Sequence, residues 1–297
     1  MMYSGVGQSN REKIRSLIGN TSIYGIAKAI HKGYAKLTAD LHALPNFLII
    51  GAAKSGTSSL YEYLNHHSSI LPCVVKEPNY FTVYYDRGLD WYKSCFPFKF
   101  QKIFTQGQKF ITGEATARYY WYPHAAQRAH RVVPKAKIIL LLRNPINRSY
   151  SHYKMRFKNK KVKQSFEEEI QNEETNLKGE WEKMLKNEGY FSFKFNSNGY
   201  LTKGLYINYI KRWFEFFPKN NILIIKAEDF FSNPEKITNQ TFEFLSLPPI
   251  KLKRYEIMRK GFESQLKPET RRKLLEYFKP YNEKLYKFLD RDFEWDK

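Results

Sequence analysis

The chain has 297 residues, 42% of them hydrophobic and 17% aromatic, which is enough apolar mass for a large core and too much for a disordered polymer. Its 50 Lys and Arg against 29 Asp and Glu give a net charge of +21; this favours nucleotides, nucleic acid, acidic glycans or anionic membrane surfaces as partners, unless it is only a solvated basic exterior. Two cysteines, Cys73 and Cys95, make neither a disulfide framework nor a zinc spacing, and no apolar run reaches the ~18 residues of a membrane span.

Residues 1–44 read as an N-terminal helical appendage without a signal-peptide core, carrying Arg11, Lys13, Arg15, Lys28, Lys32 and Lys36. Ile14 to Leu41 has the pattern of an amphipathic helix that either lies on a membrane or partner or packs at the domain edge. A soluble cytoplasmic protein is expected. From Pro45 onward, short apolar runs alternate with helical stretches, as in a parallel sheet with crossover helices. Strands are expected at Phe47–Ile50, Ile70–Leu71, Phe110–Gly113, Lys137–Leu142 and Ile222–Ile225. The fourth is continuously apolar, as suits a strand covered on both faces. Helices are expected at Ser58–Leu64, Pro123–Val133, Asn147–Lys158, Ser165–Asn187, Tyr200–Phe217, Pro234–Leu245 and Pro268–Leu289. Residues 159–198 are charge-rich and the least regular. No repeat or flexible linker interrupts residues 45–297, which read as one domain. Cys73 and Cys95 read as unpaired buried thiols, with a single bridge as the alternative.

The first strand stops at Gly51, and the small-residue loop Ala52-Ala-Lys-Ser-Gly-Thr57 leads into a helix. Such a turn aims free backbone N–H groups and the positive end of a helix dipole at an anion. It differs from G-x-x-x-x-G-K-[ST], in which the lysine follows the second glycine. Here Thr57 follows Gly56, and Lys54 lies inside the loop. The apolar strand Lys137–Leu142 then ends in Arg143, where a Walker-type NTPase places its metal-holding aspartate. An arginine there opposes a metal ion and suits a second phosphate. Asn144-Pro145 starts the next helix, and Ser151 lies about two turns into it, within reach of the same anion. Glu77 is either a general base, an ion-pair partner of Lys76 or a loop cap. His152 is a rival base. On its helix it turns about 100° from Ser151, which makes it an exposed or packing side chain. The aromatic clusters Tyr80-Phe81, Tyr84-Tyr85 and Tyr119-Tyr-Trp-Tyr122 read mainly as core, with an acceptor-stacking role as the alternative. Lys158-Asn-Lys-Lys161 reads as a solvated face.

Lys54-Ser-Gly-Thr-Ser-Ser59 and Arg143-Asn-Pro-x-x-Arg-x-x-Ser151 resemble the two phosphate-binding motifs of sulfotransferases that use 3′-phosphoadenosine 5′-phosphosulfate (PAPS). The likeness is greatest to the branch of heparan sulfate N- and 3-O-sulfotransferases and their bacterial relatives. It extends through Lys76-Glu-Pro-Asn-Tyr-Phe81, Gly88-Leu-Asp-Trp-Tyr92, Gly113-Glu-Ala-Thr-Ala-Arg-Tyr-Tyr120, Gly204-Leu-Tyr206, Lys260-Gly261 and Asp292-Phe-Glu-Trp295, roughly residues 45–297. The resemblance implies an α/β, P-loop-like three-layer fold with a central parallel sheet flanked by helices. It implies that Ser55, Gly56, Thr57, Ser58 and Ser59 hold the 5′-phosphosulfate and that Lys54 contacts the leaving group. Arg143 and Ser151 would hold the 3′-phosphate, Lys260, Gly261 and Phe262 would cover the nucleotide, and Glu77 would be the base. It also implies transfer without a metal, leaving 3′-phosphoadenosine 5′-phosphate (PAP).

The acceptor expected on this resemblance is a glycan or glycosylated small molecule, contacted by Glu77, Thr116 and Arg118, with no nucleic-acid partner and with peripheral membrane contact through residues 1–44 as an option. Departures from the pattern are Ala115 where heparan relatives carry a lysine, Phe262 where the family carries an arginine, and the missing cysteine pair near that loop. Two other classes stand beside this reading. A P-loop kinase or NTPase needs a lysine after Gly56 and a strand-end aspartate, and both are absent. A non-enzymatic basic binder of nucleic acid or membrane would not need its basic residues at these motif positions.

Overall fold

Five strands, all parallel, stand side by side in the order β2-β3-β1-β4-β5, where β1 is Phe47–Gly51, β2 Ile70–Pro72, β3 Ile111–Ala115, β4 Lys137–Leu142 and β5 Ile222–Lys226. The structure, a computed structural model, describes residues 33–101, 110–255 and 266–296. Every strand expected from the sequence is present. The two central strands read as unbroken apolar runs because both of their faces are covered. Leu48, Ile50, Ile138, Leu140 and Leu142 join one core layer with Tyr120, Ile210 and Trp213. Phe47, Ile49, Ile139 and Leu141 join the other with Leu60, Leu64, Phe230 and Phe242. The result is the helix–sheet–helix sandwich expected from the sequence.

The helices are α1 Thr57–Leu64, α2 Leu89–Lys93, α3 Ala125–Val132, α4 Pro145–Lys158, α5 Phe166–Gln171, α6 Glu173–Leu177, α7 Glu180–Lys186, α8 Phe193–Asn198, α9 Ile207–Phe216, α10 Ala227–Ser232, α11 Pro234–Phe244 and α12 Pro268–Leu289. Two expectations need correction. The single helix expected over Ser165–Asn187 is three short ones, broken at Asn172 and at Gly179, whose φ of 75° is left-handed. The helix expected from Tyr200 begins only at Ile207. Buried Glu173 accepts the backbone N–H groups of Tyr200, Leu201 and Thr202 at 2.8–2.9 Å, which holds that stretch as a turn. Of the helix expected over Ile14–Leu41, residues 33–38 are helical and Ala39–Leu41 form a 3-10 turn, while residues 1–32 lie outside the described residues. His42 stacks on Phe98 at 4.1 Å and Ala43 N–H bonds the Pro97 carbonyl, so residues 39–43 pack at the edge of the domain. Cys73 and Cys95 are free thiols.

The connections out of β1 and β4 run in opposite directions, β1 toward β3 and β2, β4 toward β5. Ligands in open α/β sheets bind outside the carboxyl ends of strands at such a switch point. The Lys54 loop follows β1 and Arg143 follows β4, so these two segments flank this crevice. The β1–β3 pairing beneath it is close: a Cβ on Gly113 would lie 2.5 Å from the ring of Phe47, its register partner. Gly113→Ala is therefore expected to lower stability by roughly 1–3 kcal/mol through overpacking, read as a shift of the urea midpoint at unchanged m-value; an unshifted midpoint would show that this contact relaxes freely.

Candidate active site

The loop after β1 is built for an anion. Lys54 (φ 75°) and Gly56 (φ 94°) both take left-handed conformations, which turns the chain sharply into α1. A Cβ on Gly56 would sit 2.9 Å from the Phe231 ring and 3.0 Å from that of Phe230, so conformation and space both require glycine. Gly56 is the N-cap of α1 and brings no side-chain cap to it; a helix start of this kind turns its first-turn amides toward an anion. Ser55 is fully buried, and its Oγ has no hydrogen-bond partner among the described residues. An orphan hydroxyl beside an uncapped helix start fits the phosphosulfate end of a nucleotide.

Arg143 reaches across the crevice. Its Nη1 donates to the Lys54 carbonyl at 3.0 Å, so the second motif clasps the first. Burial lowers the Arg143 pKa, and the nearby Glu228 carboxylate opposes that shift. The turn carrying Arg143 is firmly held. Tyr206 donates to the Arg143 carbonyl (2.7 Å), Glu228 accepts from Asn144 N–H (2.9 Å), and the Asn144 side chain caps α4 with Pro145 in its first turn. Trp295 of the closing segment donates its indole N–H to Glu228 at 3.3 Å, and its carbonyl accepts from the Asn144 amide at 3.3 Å. Ser151 is half-buried on α4. His152, its neighbour, is buried and packs on the Tyr200 ring at 5.0 Å. Burial, with the charges of Lys203 and Arg148, drives its pKa well below the usual value, so it is a packing side chain. Lys260, Gly261 and Phe262 lie outside the described residues.

Glu77 belongs to the turn Glu77-Pro78-Asn79, with left-handed φ values of 49° at Glu77 and 55° at Asn79. Non-glycine residues hold such angles only where their surroundings enforce them. The Asn79 side-chain amide donates to the Glu77 carbonyl at 2.5 Å, while the Asn79 carbonyl accepts from Thr82 and Tyr84 N–H groups at 3.2 Å. Glu77 is half-buried, Lys76 is exposed, and no ion pair joins them. The charge of Glu77 is felt by Arg118 and Glu114. Arg118 is half-buried with its guanidinium 5.7 Å from the Phe191 ring centre, and burial lowers its pKa while Glu77 opposes the shift. Thr116, expected at the acceptor, is instead fully buried, its hydroxyl donating to Glu114 Oε2 at 2.6 Å. Of the aromatic clusters, Tyr80-Phe81 and Tyr119–Tyr122 are core, whereas Tyr84 and Tyr85 are half-buried near the surface. Lys158–Lys161 is exposed.

Three charged residues to which the sequence reading gave no role lie buried around this site. Arg148 and Lys203 donate to the carbonyls of Tyr200 and Asn196 beneath α4. Glu114, one residue from the end of β3, is 1% exposed and accepts the hydroxyls of Tyr92 (2.8 Å), Tyr119 (2.9 Å) and Thr116. Its signal was present in the sequence: a lone acid inside a strand of a parallel sheet covered on both faces. Burial raises the Glu114 pKa from 4.5 to about 7, against the three hydroxyl donors and with a further push from Glu77. The folded state therefore holds this proton more tightly than the unfolded chain does. Between pH 4.5 and about 7 the group withdraws stability as pH rises. The difference in melting temperature between Glu114→Gln and wild type should shift in favour of the variant over this window; a constant difference would show that Glu114 does not titrate there.

The sulfotransferase domain family model matches residues 44–288. A curated relative, the membrane-associated sulfotransferase kil1 of Dictyostelium discoideum, is 31% identical over 86% of this chain and 67% of its own length. The bifunctional heparan sulfate N-deacetylase/N-sulfotransferase of Drosophila melanogaster is 30% identical over 82% of the chain, which spans only 24% of that protein. Human heparan sulfate glucosamine 3-O-sulfotransferase 6 is 26% identical over 84% of the chain and 73% of its own length. Among solved structures, a sulfotransferase from Alicyclobacillus acidocaldarius superimposes with a TM-score of 0.63 at 27% identity, covering 86% of this chain and all of that one.

Proposed function

Because the chain belongs to the sulfotransferase family, we propose that it moves the sulfuryl group of PAPS to a hydroxyl or amine of an acceptor, with Glu77 as general base and Lys54 at the leaving group. The observation that carries this reading is the clasp of Arg143 on the Lys54 carbonyl at the sheet's switch point. It brings together two cation-bearing loops, as a nucleotide with phosphates at both the 5′ and 3′ positions requires. The co-substrate brings an activated sulfuryl group and leaves as PAP.

The remaining chemistry is the protein's. The first-turn amides of α1 and the Ser55 hydroxyl bind the 5′ end, and Arg143 with Ser151 binds the 3′-phosphate; Lys260, Gly261 and Phe262 stand at the positions that cover the nucleotide in the family. Lys54 offers its ammonium where negative charge develops, so that positioning and electrostatics lower the barrier. Glu77 takes the acceptor's proton onto its carboxylate, a contribution typically worth ~10²–10⁴-fold. Arginine at the end of β4 supports a reaction run without a metal ion. Thr57 after Gly56, together with Arg143, speaks against a kinase or NTPase.

A carbohydrate acceptor is supported by the heparan sulfate relatives. Arg118, which feels the charges of Glu77 and Tyr84, lies over the Phe191 ring, and Phe191 packs edge-on to Phe193, 65% exposed; such rings suit a sugar. Ala115 leaves this cleft one lysine poorer than in heparan relatives, so an acceptor with fewer anionic groups fits it better. Peripheral membrane contact of a cytoplasmic protein through residues 1–44 is supported by the exposed apolar face of Tyr34, Leu37 and Leu41. Among the described residues no helix is long and apolar enough to cross a membrane.

Glu77→Gln separates binding from chemistry. The variant should keep its affinity for PAP while transfer of ³⁵S-sulfate from labelled PAPS falls by roughly 10²-fold or more; turnover within a few-fold of wild type would remove Glu77 as the base.

A further inference from the structure

A buried hydrogen-bonded chain connects Glu114 to the turn that carries Glu77. Asn79 N–H approaches the Thr116 hydroxyl at 3.4 Å, and that hydroxyl donates to Glu114 Oε2 at 2.6 Å. Tyr92 from α2 and Tyr119 from the turn after β3 donate to Glu114 Oε1 at 2.8 and 2.9 Å. A hydroxyl that donates to a carboxylate leaves its lone pairs free for the amide, so the polarity of the chain is set by an ionised Glu114. Protonation turns one of the two oxygens into a donor: on Oε2 it opposes the Thr116 hydroxyl, and on Oε1 it opposes those of Tyr92 and Tyr119. We infer that Glu114 is a positioning residue for Glu77: in its ionised form it fixes the left-handed Glu77-Pro78-Asn79 turn through Thr116. The inference rests on the transfer reaction proposed above and adds to it a second carboxylate that never touches the acceptor.

The groups around Glu114 leave its titration legible. Tyr92 and Tyr119 are pushed far above neutrality by burial. Tyr61 from α1 and Cys73 after β2 are raised by burial too, and Cys95 after α2 is pushed up to about 12. Burial raises the Glu114 pKa to about 7, and the charge of Glu77 adds to that rise. The pH at which the turn locks is thereby coupled to the charge on the base itself.

The Asn79 amide reports this directly by ¹⁵N–¹H NMR of the full chain without nucleotide. In wild type its shift should titrate with a midpoint near 7. The titration should vanish in Glu114→Gln and in Thr116→Val, return in Thr116→Ser, and move to lower pH in Glu77→Gln. An Asn79 midpoint unchanged in Glu114→Gln would overturn the proposal, and if that variant does not fold, an unchanged midpoint in Thr116→Val has the same force. In the transfer assay, kcat should rise through the same midpoint in wild type. In Glu114→Gln it should lie roughly 10–100-fold lower and be flat across this window, with the KM for PAPS unaltered; wild-type kcat with the inflection retained would also overturn the proposal. Failure of PAP to bind would sink the transfer reaction while leaving the amide titration to decide the role of Glu114.

Discussion

One hydrogen bond, from Arg143 Nη1 to the Lys54 carbonyl, spans the point where the chain leaves the sheet in two directions. Parallel topology creates the crevice, because β1 and β4 are neighbours whose crossovers diverge. It does not by itself set the distance between the loops that follow them. Arg143 does so with one of its five guanidinium N–H groups. The supports of that arginine reach far along the chain: Tyr206 on its carbonyl, Glu228 under its neighbour, and Trp295 bonded to Glu228 and Asn144. The segment carrying Trp295 thus buttresses the Arg143 side of the crevice.

The Glu77 side of the crevice is organised differently, and at a cost in stability. Glu77 and Asn79 hold left-handed backbone angles without being glycine. Behind them Glu114 keeps a carboxyl in a buried, hydroxyl-lined site that raises its affinity for a proton. Both features oppose folding and are sustained by the tightly packed β1–β3 pair and the aromatic layer of Tyr92 and Tyr119 around them. Strain and buried charge concentrated beside the proposed base follow the general trade between stability and activity.

Much of this was legible in the sequence, for local reasons. β1 and β4 are apolar throughout because both faces are covered, and the Gly56 turn and Pro145 helix start are set by residues adjacent in the chain. Lys54 and Arg143 could be joined in advance because their motifs are short and chemically specific. What could not be read depended on distant partners. Glu114, Thr116 and Glu77 meet only through the packing of the 77–79 turn against the end of β3. Tyr200 fails to start a helix only because Glu173 binds three consecutive amides. The Thr116 hydroxyl is committed to Glu114 by the same packing, which its neighbours in the chain do not reveal.

The claim on which the rest depends is that the Lys54 loop and Arg143 together bind one nucleotide through phosphates at both ends. Titration calorimetry in EDTA, comparing PAP with adenosine 5′-phosphate on wild type and Arg143→Ala, tests it most directly. PAP should bind wild-type protein without metal at least roughly tenfold more tightly than adenosine 5′-phosphate, and Arg143→Ala should erase that preference, as the loss of a charge-assisted contact predicts. Equal affinity for the two nucleotides, or binding of PAP that appears only with magnesium, would contradict the account.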